Sequence, residues 1–544
     1  MSSNQPPEEP ARNSDATRAA EPELEWHAEL DELARRRRFA AELGGAEAVA
    51  KHHARGRRTA RERIEAFLDK GSFREVGTLA GSGQYDDAGN LVSVRPSNLI
   101  VGTGDVDQRR VVISADDFTV RGGSSDASIP EKRLYREKLA FDLGIPVVRL
   151  LDAGGGSIRS MEKAGYAPAP GSNDWSYAVA NLAHVPVVSA CLGSVAGSAA
   201  AYAVMSHFCV MVAGASQIMV GGPAIVKGAF GEDFTPEELG GSGVHSANGV
   251  ADCVTRDEND AFAAARTFLS YLPTNTTQLP PRGTPCARTS AEESPDSLTA
   301  LANTIPRDRR RVYDVRALVS SLVDPGSVFE LGARYARSQM TCLARINGRP
   351  VGVLASNVMF HAGAMTAQSS EKLIRFIDMC DTFHIPVVNI VDQPGIAIGS
   401  DAERRGTIRY AARALATVYQ ARTPMIVIIV RRLFGVAGAA LIPGTGARRR
   451  YAWPSARWGS IPPEGGIEVA YRREIAAAAD PEQEKVRIGQ QLDRLTSPFR
   501  TAEHFGIEEI IDPRETPALL REWSSDAYAV LARDTGPRAY QLRP

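Results

Sequence analysis

Two turns rich in glycine and alanine each follow an apolar stretch of the chain. The first reads GSVAGSAAAY from Gly193 to Tyr202, after residues 187–192, and the second reads GVAG from Gly435 to Gly438. Glycine and alanine let a ligand approach the backbone closely, because no large side chain crowds the amide N–H groups. Pairs of such groups at the start of a helix can stabilise a negatively charged oxygen. Taken alone, each cluster is more often a place where a helix packs closely on a strand.

Two further turns contain an aspartate followed by glycine. Asp152 precedes Gly155 and Gly156, and Asp392 precedes Gly395, in each case after an apolar stretch. Ligands bind at the carboxyl ends of the strands in open α/β sheets, so both turns are candidate binding sites. Capping of the turn is an equally good role for either aspartate.

These four turns belong to an internal repeat. The segments Glu131–Gly156 and Glu371–Gly399 both run from an amphipathic helix through Ile-Pro-Val-Val to an apolar strand and an aspartate turn, with the two aspartates 240 positions apart. The units that carry the glycine- and alanine-rich turns begin at Pro186 and Pro424, which are 238 positions apart. A repeat of this length predicts two copies of one α/β domain.

The composition is that of an ordinary globular protein. The chain has 544 residues, of which 43% are hydrophobic and 23% charged, and its net charge of −1 argues against a general affinity for nucleic acid or acidic membranes. Its six cysteines contain no CxxC pair, so we expect buried thiols in a reducing compartment and no metal site. Because no signal peptide or apolar run of about 20 residues is visible, we expect a cytoplasmic protein.

Changes in composition along the chain predict its domain organisation. We expect a disordered tail over 1–23, an N-terminal domain over 24–285, a Pro-, Thr- and Ser-rich linker over 286–312, and a C-terminal domain over 313–544. Local patterns predict a capping box at Thr59 and Glu62, a hairpin at Asn347-Gly348, and helices over Leu24–Val49, Arg316–Val323, Asp480–Leu495 and Pro517–Leu531.

A set of longer motifs resembles one family along nearly the whole chain. The basic segment Lys51–Gly77, KHHARGRRTARERIEAFLDKGSFREVG, resembles the opening of the carboxyltransferase (β) subunits of biotin-dependent acyl-CoA carboxylases. Further matching stretches are GGPAIVKGAFGEDFTPEELGG at Gly221–Gly241, SYLP at Ser270–Pro273, YDVR at Tyr313–Arg316, DPGSVFEL at Asp324–Leu331, INGRPVGVLASN at Ile346–Asn357, SSEK at Ser369–Lys372 and YRREI at Tyr471–Ile475.

The resemblance implies a fold and a reaction. The fold would be two tandem crotonase-like α/β domains, with acyl-CoA bound by the first domain and biotin by the second. The reaction would move a carboxyl group from carboxybiotin to the α or vinylogous carbon of an acyl-CoA, through a thioester enolate. Since N1 of biotin would take the α-proton, no protein base is demanded.

The same resemblance assigns the two glycine- and alanine-rich turns as oxyanion holes. The amides of Gly197 and Ser198 would bind the thioester oxygen, and those of Val436 and Ala437 the ureido oxygen of biotin. Ser198 and Val436 stand where the family usually has a second glycine. An amide N–H survives either replacement, but the side chain of Val436 leaves its backbone conformation open. Because the chain resembles this family and has two equivalent glycine- and alanine-rich turns, a catalytic role for the turns is favoured over a role in packing alone.

Other positions are assigned to ligand binding on the same basis. His245 would either orient the cleft or, more often for such a residue, be structural. The substrate and cofactor contacts implied are Gly155, Gly156, Gly193, Gly221 and Gly222 in the first domain, and Asp392, Gln393, Gly395 and Gly435 in the second.

Partners follow from motifs that the sequence does not contain. There is no Met-Lys-Met biotin-attachment site and no Walker-type phosphate loop. The resemblance therefore implies a biotin carboxylase and biotin carboxyl carrier partner, and a homohexamer built as a trimer of dimers in which the first domain of one subunit faces the second domain of another. Two alternatives remain: a biotin-dependent acyl-CoA decarboxylase subunit, or a non-catalytic structural subunit, whose expected mark is loss of the glycine- and alanine-rich turns. The motifs leave the acyl group open, since Ala439 stands where propionyl-type members often have aspartate.

Overall fold

The described part of the chain folds around two large β-sheets. The computed structural model describes residues 25–167, 175–284, 294–442, 446–540 and 542, so the predicted tail over 1–23 lies outside them. Within these residues each half of the chain contributes one eight-stranded sheet, and β2 and β3 form a separate antiparallel pair. The strands are β1 Arg74–Val76, β2 Gly81–Tyr85, β3 Leu91–Pro96, β4 Leu99–Val106, β5 Arg109–Asp116, β6 Val147–Ala153, β7 Val187–Ala196, β8 Phe208–Val212, β9 Gln217–Met219, β10 Cys253–Thr255, β11 Phe329–Leu331, β12 Gln339–Ile346, β13 Arg349–Ser356, β14 Val387–Gln393, β15 Met425–Phe434, β16 Arg448–Ala452, β17 Arg457–Gly459 and β18 Glu509–Ile510.

The order of the strands is the same in the two sheets. The first runs β1-β4-β5-β6-β7-β8-β10 with β9 paired to β7, and the second runs β11-β12-β13-β14-β15-β16-β18 with β17 paired to β15. In both, an antiparallel hairpin (β4–β5 or β12–β13) leads into parallel strands. The predicted duplication is therefore confirmed at the level of topology.

The register repeats as well. Leu151 pairs with Cys191 in the first sheet, and Val391 pairs with Ile429 at the equivalent place in the second. Directly after these pairs, both ladders shift register, at Asp152 in β6 and at the equivalent Asp392 in β14. The irregularity separates each aspartate from the regular ladder, at the carboxyl end of its strand.

Helices cover both sheets and carry the apolar residues that close the core. They are α1 His27–Ala41, α2 Ala46–His53, α3 Ala60–Phe67, α4 Pro130–Leu143, α5 Arg159–Ala164, α6 Ser176–Asn181, α7 Ser198–Val204, α8 Pro223–Phe230, α9 Pro236–Gly240, α10 Ser242–Asn248, α11 Glu258–Ser270, α12 Pro295–Ala302, α13 Val315–Leu322, α14 Ala367–Thr382, α15 Ser400–Arg404, α16 Thr407–Gln420, α17 Gly435–Leu441, α18 Pro463–Ala470, α19 Arg472–Ala477, α20 Pro481–Leu495, α21 Pro498–Glu503 and α22 Thr516–Leu531. No helix of the described residues is long and apolar enough to cross a membrane.

The two halves pack directly on each other. Phe208 and Phe268 of the first half stack with ring centroids 4.8 Å apart, and Phe329 of the second half lies 5.5 Å from Phe208. An ion pair of 2.9 Å joins Arg375 to Asp252 across the same contact. Apolar residues of both halves therefore share one continuous core, which fixes the halves relative to one another.

Most local predictions are confirmed, with one correction. The capping box at Thr59, the hairpin at Asn347-Gly348 and the later helices (α13, α20 and α22) are present. The single helix predicted over Leu24–Val49 is wrong, because the chain breaks into α1 and α2 at Gly44 and Gly45. Gly45 has a φ of 91° there, and a Cβ on Gly44 would lie 2.1 Å from the Thr119 carbonyl oxygen. The segment predicted as a linker contains α12, and the domain bounds stay a prediction.

Candidate active site

The first glycine- and alanine-rich turn joins β7 to α7. Gly197 has φ 60° and ψ −125°, a conformation that only glycine adopts easily, and α7 begins at the next residue. The Gly197 amide donates to the Met219 carbonyl oxygen at 3.2 Å, so this N–H is engaged by the protein here, and its role as an oxyanion donor stays a prediction. The amides of Ser198 and Ala199 open the helix and have no intrahelical acceptor. They are the pair that this turn can offer to a ligand.

These two residues border a cavity that also reaches the first aspartate turn. We call it the first-half cavity; its volume is about 210 Å³. Gly155 lies on its wall, where a Cβ would approach the Ala196 carbonyl oxygen to 3.1 Å, and a Cβ on Gly156 would meet nothing within 4 Å. The structure thus brings the predicted Gly155 and Ser198 together. The lining residues are Gly123, Ser125, Ser128, Pro130, Glu131, Arg133, Leu134, Ala153, Gly155, Trp175, Ser198, Ala199 and Tyr202.

A buried charge cluster fixes the aromatic wall of this cavity. The guanidinium groups of Arg136 and Arg149 lie 4.6 Å and 5.1 Å from the centre of the Tyr202 ring, and Trp175 stacks on that ring at 4.5 Å. Arg149 donates two hydrogen bonds of 2.9 Å to the Glu137 carboxylate. Although burial opposes ionisation, Arg149 and Arg136 lower the pKa of Glu137 to about 2. These fixed charges hold Tyr202 in place.

Gly193 makes space for a buried carboxylate instead of a ligand. A Cβ on Gly193 would lie 2.1 Å from Oδ1 of Asp152. Asp152 is fully buried and accepts a hydrogen bond of 2.9 Å from Nη1 of Arg63 on α3, with Arg57 3.9 Å away. Gly193 does not line the first-half cavity, so its predicted contact with the substrate is not supported.

The second glycine- and alanine-rich turn joins β15 to α17 in the same way. Gly435 has a φ of 62°, and Val436 follows it with a helical backbone inside α17. The side chain of Val436 is 52% exposed, whereas Ala437 is fully buried. The replacement of glycine by valine therefore costs no backbone strain, because the special conformation belongs to Gly435.

Aligning the two copies of the repeat shows which residues of the two turns are equivalent. Gly197 and Gly435 are 238 positions apart and share a positive φ, so Ser198 is equivalent to Val436 and Ala199 to Ala437. The predicted pairs, Gly197 with Ser198 and Val436 with Ala437, therefore do not occupy equivalent positions, and which amides bind a ligand stays a prediction. The equivalent amide pairs are those of Ser198 with Ala199 and of Val436 with Ala437.

Asp392 is held by cations from its neighbouring strand. Its carboxylate accepts hydrogen bonds from Nε of Arg431 at 2.7 Å, from Nε of Arg432 at 2.6 Å and from the Tyr313 hydroxyl at 3.2 Å. Burial, and then the charge of Asp392, raises the pKa of Tyr313 above its ordinary value. Asp392 is fully buried and engaged by these three groups, which favours the turn-positioning role over contact with a ligand; the ligand contact stays a prediction. Two arginines inside an apolar strand were the signal that sequence reasoning missed.

The other predicted contacts of the second half lie around this turn. Gln393 is buried, and its side-chain oxygen accepts from the Gly395 amide at 3.1 Å. Gly395 has a φ of 134°, and a Cβ there would meet nothing within 4 Å. Gln393 therefore shapes the turn from inside, while Gly395 leaves open space beside it.

Gly221, Gly222 and His245 lie away from the first-half cavity. The two glycines lead into α8, none of whose residues is buried, and Val220 before them is 97% exposed. His245 donates from Nε2 to the Ile218 carbonyl oxygen at 2.7 Å, while Nδ1 faces the Asn248 amide at 3.3 Å. These bonds support the structural role for His245.

Comparison with known proteins decides the family. A model of the carboxyl transferase domain matches residues 51–527. The chain belongs to the carboxyl transferase family. The predictions of a carboxyltransferase and of two tandem crotonase-like domains are thereby confirmed, since the repeated sheets have the topology and extent of that fold.

Individual members of the carboxyl transferase family match along almost the whole chain. The carboxyltransferase subunit of propionyl-CoA carboxylase from Haloferax mediterranei is 33% identical over 492 residues, which is 90% of this chain and 93% of the relative. The methylmalonyl-CoA decarboxylase subunit alpha of Veillonella parvula is 32% identical over 502 residues, 91% of this chain and 94% of the relative. Transcarboxylase 12S, solved as a hexamer with methylmalonyl-CoA bound, superposes with a TM-score of 0.83 at 30% identity, covering 96% of this chain and 98% of that one.

Proposed function

We propose that this chain is the carboxyltransferase subunit of a biotin-dependent acyl-CoA carboxylase. The observation that carries the proposal is the pair of equivalent turns, each with two backbone amides at the start of a helix, inside a fold of this family. Carboxyl transfer from carboxybiotin to an acyl-CoA develops negative charge on two oxygens, and two donor pairs match that demand. A non-catalytic subunit would not need either pair.

The first-half cavity is the proposed site of the acyl thioester. The amides of Ser198 and Ala199 are positioned to donate to the thioester oxygen as it becomes an enolate oxygen. Both residues line the cavity, and its other walls are closed by Gly155, Trp175 and Tyr202. A cavity of about 210 Å³ has room for a short acyl group, and a bound ester would displace water from it, which strengthens each hydrogen bond to the developing charge.

The second turn is the proposed site of the biotin ring. When bound, carboxybiotin supplies the carboxyl group, and the amides of Val436 and Ala437 donate to its ureido oxygen. The residues fit such a group, because Gly395 borders open space and the half-exposed Val436 offers an apolar contact for a flat ring. Arg431 and Arg432 keep this turn rigid through Asp392.

Assembly follows from the same proposal. The chain would receive carboxybiotin from a biotin carboxylase and carrier partner, in the cytoplasm. Apolar side chains stand exposed on both halves of the single chain, with Val220 97% and Ile398 90% exposed. Burial of such residues by another copy fits a hexamer like that described for transcarboxylase 12S.

A decarboxylase subunit is the second candidate. One relative of comparable identity is the methylmalonyl-CoA decarboxylase subunit alpha of Veillonella parvula. The same donor pairs would serve a reaction that runs from the carboxylated CoA ester to biotin. ATP-dependent carboxylation supports the first candidate, whereas ATP-independent loss of CO₂ from a carboxylated ester supports the second.

A reconstitution assay tests the proposed function. The purified chain is mixed with a biotinylated carrier, biotin carboxylase, ATP and labelled bicarbonate, and offered a panel of acyl-CoA esters. We expect label in an acyl-CoA product only when the carrier is present. Transfer by the chain without a carrier, or failure with every ester in both directions, would overturn the proposal.

A further inference from the structure

An arginine on α4 lines the first-half cavity. Arg133 lines the cavity together with Ser125 and Ser128, and its side chain is 15% exposed. A guanidinium is charged at neutral pH, and that of Arg133 forms an ion pair of 3.4 Å with the buried carboxylate of Asp116.

The hydrogen-bonding capacity of Arg133 is not used up by the protein. Nη2 reaches Oδ1 of Asp116 only at 3.4 Å, and Nη1 is buried with no hydrogen-bond partner among the described residues. Buried donors normally have acceptors, and one left without any is unfavourable. The planar fork of a guanidinium is matched by the two oxygens of a carboxylate.

The second half of the chain shows that the fold does not require an arginine here. Lys132 donates to the Gly77 carbonyl oxygen at 3.0 Å, and Lys372 donates to that of Gly332 at 2.8 Å, after the equivalent strands β1 and β11. This shared contact shows that Lys132 in α4 and Lys372 in α14 occupy equivalent positions. The residue after Lys372 is Leu373, which is fully buried, so leucine occupies the place of Arg133 in the other half.

We propose that Arg133 binds a carboxylate of the acyl group of a CoA ester held in the first-half cavity, which rests on the proposed function. The carboxylate is either the one that carboxyl transfer creates beside the thioester or one that the acyl chain already carries. Glu131 also lines the cavity, but it is exposed, so solvent screens its charge more than that of Arg133.

Calorimetry with three CoA esters tests the assignment on the full chain in its native assembly. Butyryl-CoA has no carboxylate, methylmalonyl-CoA has one next to the thioester, and glutaryl-CoA has one at the far end. The variant is Arg133→Leu, the residue of the second half. Lys138→Leu removes the same charge from the same helix, but its side chain pairs with Asp142 outside the cavity. Both variants are first matched to wild type in melting temperature and assembly.

We expect Arg133→Leu to weaken binding of at least one acidic ester by roughly tenfold to a hundredfold, the usual loss for a hydrogen-bonded charge. Butyryl-CoA affinity should stay within about twofold, and Lys138→Leu should change none of the three. A loss confined to methylmalonyl-CoA identifies the newly formed carboxylate, and one confined to glutaryl-CoA identifies a carboxylate already present. Equal losses for all three esters, or none, would overturn the role of Arg133. A wild-type chain that binds no ester overturns the proposed function and this inference together.

Discussion

A Cβ atom on Gly193 would lie 2.1 Å from the Oδ1 atom of Asp152. The missing side chain leaves room for a buried carboxylate whose cation, Arg63, comes from a helix far away in the chain. The residue equivalent to Gly193 in the second half is Arg431 on β15, which donates to Asp392 on the adjacent strand β14 at 2.7 Å. The equivalent carboxylates of Asp152 and Asp392 are thus neutralised by arginines from different parts of the fold.

Gly193→Ala is expected to destabilise the first half. The added methyl group must displace the Asp152 carboxylate from its pair with Arg63, and overpacking of this kind typically costs about 1–3 kcal/mol. Thermal unfolding measures the loss. Gly156→Ala is the matched control, because a Cβ there meets nothing within 4 Å. Equal melting temperatures for the two variants would contradict the packing role of Gly193.

Asp392→Asn is expected to impair carboxyl transfer more than acyl-CoA binding. The change leaves Arg431 and Arg432 without their buried anion, and breaking a buried pair typically costs about 3–5 kcal/mol. The turn that would hold biotin then loses its support, while the first-half cavity is untouched. Transfer rate and CoA-ester affinity are measured on the same preparation. A variant that loses ester affinity but retains transfer would refute this division.

Proline in the first turn of each helix separates the two proposed oxyanion holes. Ser198 is the first residue of α7 and Val436 the second of α17, so Ser198→Pro and Val436→Pro each delete one amide N–H in a turn where a helix tolerates proline. Loss of one oxyanion donor predicts a fall of roughly a hundredfold or more in turnover.

The two proline variants should differ in one partial reaction, the decarboxylation of carboxybiotin without acyl-CoA. Val436→Pro should impair this decarboxylation, whereas Ser198→Pro should leave it intact and impair only carboxyl transfer to the acyl-CoA. Ser198→Ala and Val436→Ala keep the amides and serve as controls. If both proline variants impair the decarboxylation, or neither does, the two holes do not serve different substrates.

The stability of the wild type relative to Lys372→Met is expected to rise with pH above about 8. Burial lowers the pKa of Lys372 to about 8 from an ordinary 10.5. Between these values the unfolded chain holds a proton that the folded chain has released, so folding is increasingly favoured as pH rises. Melting temperatures of both proteins from pH 7 to 10.5 measure the difference. If the difference in melting temperature stays constant or falls over this range, the pKa of Lys372 is not lowered by folding.

Much of the architecture was readable from residue patterns. The repeat, the strands, the hairpin at Asn347-Gly348 and the positions of the four turns depend on local composition and on spacing along the chain. Local preference and apolar periodicity act over a few residues, and a duplication preserves both. The family likewise rests on motifs of consecutive residues.

Only the tertiary structure decided which groups of the site remain free for a ligand. The Gly197 amide is occupied by the Met219 carbonyl oxygen, and the Asp392 carboxylate by Arg431, Arg432 and Tyr313. The sequence placed these groups in the correct turns but could not tell that they were engaged. A hydrogen-bond donor or a carboxylate is available only if no distant part of the chain satisfies it, and that depends on packing between strands, not on local sequence.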